Sequence, residues 1–485
     1  MQKLTILKEA RGVMTRFEPL TEEFISAQSE DGLTYSELSA VLSSYGLDIR
    51  KVVHDPTRQI FNTYYADYDQ GKYAAIFLQR QYIQDTGQAE LRALTKYGGI
   101  CPELVGEWKS FYLKCVPMAM LIYDFQRRYR NIPREQVFSI WHDIYKRIDY
   151  ANDMWPPEVL EYVFQYAPPT PLPRPDADGR ITIYRGMGTQ SLPPERAISW
   201  SSHPGNALWF ANRSGQGTRI AVAHVKPEQI IAYFPGYSME NEVVVLPGTI
   251  SDYGYEDMIP AAKETVPQIL APTLAEFQYY GKQARLLGYQ EEALFQVHGL
   301  KHILRVLLLS LIYIHNAGDP LSEADRQILI YFSLLHDIGR TTDDRDDRHG
   351  EQSVVLTSKK GIRLRGIRLS RKEYRIAELV ITHHCHDDIT GVAAIMSEPG
   401  LSRKEKERVI HLYYICKDMD GLDRVRFNGL DYRMLRTAYA KRLPLVAGCL
   451  LEEDILAALD MEIGIARGSE QVPRAIFAFI WCKYK

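Results

Sequence analysis

Apolar residues recur at spacings of three and four through much of residues 17–166, in YAAIFLQRQYIQ, LVGEWKSFYLKCVPMAMLIYDFQRRY and REQVFSIWHDIYKRI. That is the period of an amphipathic helix, and it predicts a helical region over 1–166. Five prolines between Pro168 and Pro175 then rule out helix and predict a stiff extended linker over 167–179. From residue 180 the pattern changes to short β-like runs, RITIYRGM, AISWSS, TRIAVAHV, QIIAYF and NEVVVLPGTI, set between Gly, Pro, Asn and Ser turns. One short helix, around GNALWFAN, interrupts them. The helical period returns near residue 272 in LAEFQYYGKQARLLGY, GLKHILRVLLLSLIYIHNA, EADRQILIYFSLLHDIGR, KEYRIAELVITHHC and KERVIHLYYICKDMDGLDRV. The order is helical, β-rich at 180–262, and helical again at 275–485.

A length of 485 residues exceeds what one core normally supports, roughly 250 to 300, so several domains are expected. The fold class expected is multidomain α+β. A formal net charge of -3 supplies no basic field, so a nucleic acid partner is not indicated. Six scattered cysteines without a C-x-x-C pair fit a reducing, cytoplasmic compartment. No uncharged apolar run approaches the roughly 18 residues of a membrane span. The first residues carry charges where a signal peptide needs an apolar core.

Nine of the thirteen histidines fall between His298 and His411, which concentrates metal-binding side chains in the C-terminal half of the chain. LLHDIGR ends an apolar helix with His336 and Asp337, an expensive pair to bury without a partner or an ion. HGLKHILRV places His298 and His302 one turn apart, RHGEQS adds His349, ITHHCHDD adds His383, His384 and His386, and KDMDGLDRVRF adds Asp418, Asp420 and Asp423. Imidazole and carboxylate without thiolate suit Mn²⁺, Fe²⁺, Ni²⁺ or Mg²⁺. With these residues the region resembles the HD-domain superfamily of metal-dependent phosphohydrolases, an all-helical fold with the pattern H…HD…D. The resemblance implies His302, His336, Asp337 and Asp420 as metal ligands and a nucleotide or other phosphoester as substrate. His349 and His383 would bind a second metal or donate to the phosphate, with Arg340, Lys417 and Arg424 as candidate phosphate contacts. The acidic run TDDRDDR, 342–348, is expected to be a mobile solvated loop at the site's edge.

In the β-rich stretch three polar features stand at the ends of apolar runs: Arg185 in IYRG, Ser199 and Ser201 in ISWSS, and Glu240 and Glu242 in ENEVVV. In that order they resemble the R-S-E class of mono-ADP-ribosyltransferases, whose core is a small split β-sandwich around NAD. The resemblance implies that Arg185, Ser199 and Ser201 bind NAD as co-substrate and that Glu242 is catalytic, stabilising an oxocarbenium-like state. Glu240, on the same face of an extended strand, would orient an incoming nucleophile, and Tyr237 would meet the acceptor. A Glu-x-Glu pair implies transfer to protein arginine. Asp337, Glu242 and Glu240 are thus the expected catalytic residues.

The two resemblances together predict a bifunctional enzyme, an ADP-ribosyltransferase with a protein acceptor joined to a phosphohydrolase, a combination suited to a bacterial toxin or effector. The alternative is an HD phosphohydrolase of nucleotides whose β region binds a ligand without catalysis.

Overall fold

The computed structural model describes residues 17–451 apart from 29–31, 57–62, 68, 71, 83–87, 97–107, 115, 117–119, 149–154, 189–190, 213–216, 236–239, 262–264, 290–297 and 428. The chain divides into two compact units, the first reaching to Pro171 and taking in Arg196–Ile198, the second comprising the rest.

The first unit departs from the helical expectation. It contains an antiparallel sheet in the order β1-β2-β3-β4, formed by Glu18–Pro19, Val52–His54, Thr63–Asp67 and Lys72–Ala75. Tyr73 pairs with Ala66 and Ala74 with Tyr65, so the start of YAAIFLQRQYIQ is strand. The reason it reads as helix is physical. These strands run two to five residues, and β2 and β3 are buried at every position, so no alternation betrays them. Helices follow, including Trp108–Lys114, Leu121–Arg128, Arg134–Arg147 and Pro157–Phe164. Buried Asp124 on the second of these accepts from Tyr73 Oη at 2.8 Å and Arg128 Nε at 3.0 Å, tying the helix to β4.

The second unit begins with six strands: β5 (Ile181–Gly188), β6 (Ser199–Ser201), β7 (Gly217–Val225), β8 (Ile230–Phe234), β9 (Glu242–Val245) and β10 (Tyr253–Asp257). They form one antiparallel sheet in the order β10-β7-β5-β6-β9-β8. Its two three-stranded halves meet through a single residue pair, Tyr184 with Ser201. The interrupting helix α1, Pro204–Asn212, lies against β5 and β7.

Beyond the sheet come α2 (Leu274–Leu286), α3 (Leu300–Asn316), α4 (Glu323–Leu335), α5 (His349–Lys359), α6 (Arg371–His383), α7 (Asp388–Ser397), α8 (Arg403–Leu422) and α9 (Pro444–Cys449). Side-chain caps at Ser322, Ser370, Asp387 and Ser402 start α4, α6, α7 and α8 by satisfying otherwise orphaned amides. The helix α3 is buried over nearly its whole length, which fits VLLLSLIYI as a core segment. No described helix is long and apolar enough to cross a membrane.

Sheet and helices share one apolar core. Tyr184 of β5, Leu208 of α1 and Ile220 of β7 belong to the same buried cluster as Leu304, Leu308 and Leu445. Arg433 stacks on the Tyr184 ring at 5.0 Å, and the Ile259 amide donates to the Arg442 carbonyl at 2.7 Å. The β-rich and helical stretches are therefore packed as one body.

Candidate metal centre

Four elements converge on His336 and Asp337, which follow the last turn of α4. The helix α3 brings His302, α5 brings His349 at its first residue, the end of α6 brings His384, and the last turn of α8 brings Asp420. Two glycines permit the approach. A Cβ on Gly339 would stand 2.3 Å from the Ser353 nitrogen of α5, and one on Gly350 would stand 2.3 Å from the Ile381 carbonyl of α6. Ser353 locks the same corner, accepting from the Gly339 amide at 2.9 Å and donating to the His336 carbonyl at 2.7 Å.

Each imidazole has one nitrogen committed outward. Nδ1 of His302 meets Asp423 Oδ2 at 2.7 Å, and Nδ1 of His336 meets the Phe332 carbonyl at 3.2 Å. Nδ1 of His349 meets the Asp346 carbonyl at 2.5 Å, and Nδ1 of His384 meets that of Ile381 at 2.6 Å. A carbonyl accepts only, so Nδ1 carries the proton in His336 and His384 and Nε2 presents its lone pair inward; Nδ1 of His349 lies 3.1 Å from Arg340 Nη1, a donor, as well. Nε2 of His302 then faces Nε2 of His336 at 3.2 Å, and Nε2 of His349 faces Nε2 of His384 at 2.9 Å. Ring nitrogens that converge so closely fit a cation between them, which would replace the proton that His302 otherwise holds.

Asp337 stands between the two pairs. Its Oδ2 lies 3.5 Å from His302 Nε2 and 3.7 Å from His336 Nε2, while its Oδ1 lies 3.2 Å from His349 Nε2 and 3.9 Å from His384 Nε2. Asp420 Oδ1 joins the first pair at 3.4 Å from His302 and 3.7 Å from His336, with about a third of its side chain, 34%, open to solvent. His302, His336 and Asp420 form one group with metal-ligand spacing, and His336, Asp337 and His384 another.

The electrostatics are those of an anionic cluster. Desolvation works against ionised Asp337 and Asp420, yet the hydrogen bonds and charge of His302 hold both carboxyls well below their usual range. Burial likewise works against a charged His302, but Asp337, Asp420 and Asp423 outweigh it and its pKa is pushed up to about 10. Burial keeps His336 and His384 neutral, the latter lowered to about 3.

Of the ligands expected from sequence, His302, His336, Asp337, Asp420 and His349 are brought together. His383 is not: its Nδ1 meets Nδ1 of His386 at 3.2 Å, and its neighbour His384 takes the place in the cluster. The buried stripe of α6, Ala377, Val380 and Ile381, carries the signal, because its three- and four-residue steps continue to 384. Asp423, named from sequence only as one of three acids, takes a definite place here. It braces His302 from behind and is itself held by Arg305 Nε at 2.5 Å and Arg426 Nη1 at 2.7 Å. Asp418, by contrast, accepts from the Arg436 and Thr437 amides and fixes the loop after α8.

Above the cluster opens a cavity of about 930 Å³, lined by Asp337, His349, His384, Asp420, Arg424 and Phe427 among others. The three expected phosphate cations differ sharply in availability. Lys417 is consumed by the His386 carbonyl at 2.5 Å, Asp388 at 2.7 Å and Tyr413 Oη at 3.1 Å. Arg340 holds the Thr342 and Asp344 carbonyls at 3.0 and 2.9 Å. Arg424 is exposed and makes no ion pair or hydrogen bond with the described residues. The acidic run is solvated, and its carbonyls at Thr342, Asp344, Asp346 and Asp347 meet the side chains of Arg340, His349 and His386.

In the sheet, Arg185 Nη1 donates to the Ser199 carbonyl at 2.6 Å and Ser199 Oγ donates to Glu242 Oε1 at 2.5 Å. Ser201 Oγ donates to the Glu240 carbonyl at 2.7 Å, and buried Asn206, unforeseen from sequence, donates to that carbonyl as well. Asn241 has φ 48, in the left-handed region, so Glu240 and Glu242 do not share the face of one extended strand. The strand begins at Glu242. Tyr237 lies outside the described residues.

A family model described as HD domain matches residues 299–425, which covers His302, His336, Asp337, His349, His384 and Asp420 and leaves the sheet outside. No curated protein and no solved structure matches the chain.

Proposed function

We propose that the helical half is a metal-dependent phosphoester hydrolase with two ions, held by His302, His336, Asp337 and Asp420 on one side and by His349, His384 and Asp337 on the other. The observation that carries this reading is Asp337, whose two carboxylate oxygens face different histidine pairs. When bound, divalent ions supply Lewis acidity that acidifies water and neutralises phosphoryl charge. The protein's own residues do the rest. Asp423, clamped by Arg305 and Arg426, holds the tautomer and angle of His302. Asp420, the ligand most open to solvent, marks where water and substrate enter. Arg424, one helical turn beyond it, meets the substrate's anionic oxygens. A cavity of about 930 Å³ is larger than a phosphate needs and accommodates a nucleotide-sized ester. The test is loading of the full chain with Mn²⁺, Fe²⁺, Ni²⁺ or Mg²⁺ and assay against phosphomonoesters, phosphodiesters and nucleotides, with His336→Ala/Asp337→Ala as control. Failure of the unmutated protein to take up any divalent ion sinks the reading.

A second reading concerns the sheet: NAD cleavage and ADP-ribosyl transfer, with Glu242 as the catalytic carboxylate. Its support is the run of contacts from Arg185 of β5 through Ser199 of β6 to Glu242 of β9, which links an arginine to a braced carboxylate across the intervening strand. Transfer to a protein arginine has weaker support, because the turn at Asn241 takes Glu240 off the strand face that role requires. Incubation with labelled NAD and a lysate reads this out directly; NAD cleavage that survives Glu242→Gln removes it and leaves a sheet that binds without catalysis.

A further inference from the structure

We propose that Cys385 supplies a thiolate to the ion held by His349 and His384, so that the two halves of the centre differ in kind, nitrogen and oxygen in one and sulfur in the other. The inference rests on the two-ion reading above. Its basis is a third group with ligand spacing: one nitrogen from each of His349 and His384 and the sulfur of Cys385 all lie within 4.8 Å of one another. Both histidines are only 5% exposed, and their Nε2 atoms meet at 2.9 Å, with Asp337 Oδ1 3.2 Å and Arg340 Nη1 3.5 Å from that of His349. Such a pair calls for an ion, and an ion there has a sulfur beside it.

Burial raises the pKa of the Cys385 thiol, so a bound ion would have to draw the proton off. Cys385 is half-buried and lines the cavity, so the proton has a route to solvent. Its S–H donates to the Asp347 carbonyl at 3.2 Å, with the Thr382 carbonyl farther off at 3.8 Å. The Asp347 carbonyl also accepts from Nε2 of His386 at 3.1 Å, so it keeps a donor when the thiol becomes a thiolate. The exchange balances: the S–H bond breaks, a sulfur–metal bond forms and one proton leaves to water. No electron is transferred.

The consequence is selectivity. Imidazole, carboxylate and thiolate together favour Zn²⁺, Co²⁺ or Fe²⁺, whereas the set of His302, His336, Asp337 and Asp420 has no soft donor. The centre is expected to hold a thiophilic ion in one half and to tolerate Mn²⁺ or Mg²⁺ only in the other.

Cobalt is the probe. The full chain loaded with Co²⁺ is expected to show a sulfur-to-cobalt charge-transfer band in the near ultraviolet, and Cys385→Ser is expected to abolish that band while the ligand-field bands of the His302 half persist. The described cysteines besides Cys385, Cys416 and Cys449, are buried in the core and unable to give the same response. Two bound ions without the band, or a band that survives Cys385→Ser, overturns the thiolate and leaves the hydrolase reading standing. Absence of any bound cobalt removes both.

Discussion

The carboxylate of Asp423 stands 2.7 Å from Nδ1 of His302, on the side of the ring turned away from the cluster. That contact decides which nitrogen of His302 is left to face inward. It also gives the partly buried cations Arg305 and Arg426 a common anion. Asp423→Asn keeps the shape and removes the charge. The expected result is a ten- to hundredfold loss of affinity for the ion in the His302 half. A stability loss of about 3 kcal/mol accompanies it, from two guanidinium groups left without a counter-charge. Metal titration followed by calorimetry measures the first, and denaturant unfolding the second.

Ions that bind only the folded chain stabilise it by mass action, by about 2.7 kcal/mol at a free concentration one hundred times Kd. Chelation is therefore expected to lower Tm, and readdition of Mn²⁺ or Zn²⁺ to restore it. In His336→Ala/Asp337→Ala, which removes the ion of the His302 half and one ligand of the other, the chelator effect is expected to shrink. A thermal scan of both proteins, with and without chelator, is sufficient.

Arg424 and Lys417 look equivalent in sequence and are opposites in the structure. Arg424→Ala is expected to lower kcat/KM by about ten- to hundredfold, the value of one lost charged hydrogen bond to substrate, with metal content and Tm unchanged. Lys417→Ala is expected to do the reverse: it strips Asp388 of one of its cations and costs about 1 to 3 kcal/mol of stability. Steady-state kinetics beside urea unfolding separates the two.

Gly350→Ala tests the close contact of α5 and α6. A methyl there meets the Ile381 carbonyl at 2.3 Å, and relief requires α5 to move away from α6. His349 moves with it, away from His384. One bound ion fewer per chain is expected, with a stability loss of about 1 to 3 kcal/mol. Elemental analysis of the loaded variant counts the ions.

Much of this was legible in the chain before any coordinate. The strands from Ile181 to Val245 announce themselves because turn residues bracket β-branched runs, and α3, α4, α6 and α8 because an apolar stripe repeats at helical spacing. The β10 segment YGYED is polar, exposed and glycine-containing, so nothing in its pattern marks it as strand. The helices α5 and α7 bury few apolar residues, so no apolar stripe at helical spacing marks them in the sequence. At the centre, the residue types were visible and the choice between adjacent histidines was not: His383 and His384 differ by about 100° around the helix, and only the phase of the buried stripe separates them. Asp423 looked like one of three acids in KDMDGLDRV. Its role lies in what stands behind His302, which is a relation between α3 and the turn after α8 that no local pattern encodes.

The shared core of sheet and helices bears on how this protein is handled and how it is inherited. A cut between them bares Leu208, Ile220 and Leu304 at once, so the two pieces made that way would precipitate rather than work as two separate enzymes. The smallest fragment worth expressing runs from the proline-rich stretch onward. A gene that carries the histidine cluster without the strands before it leaves the apolar face of those helices uncovered.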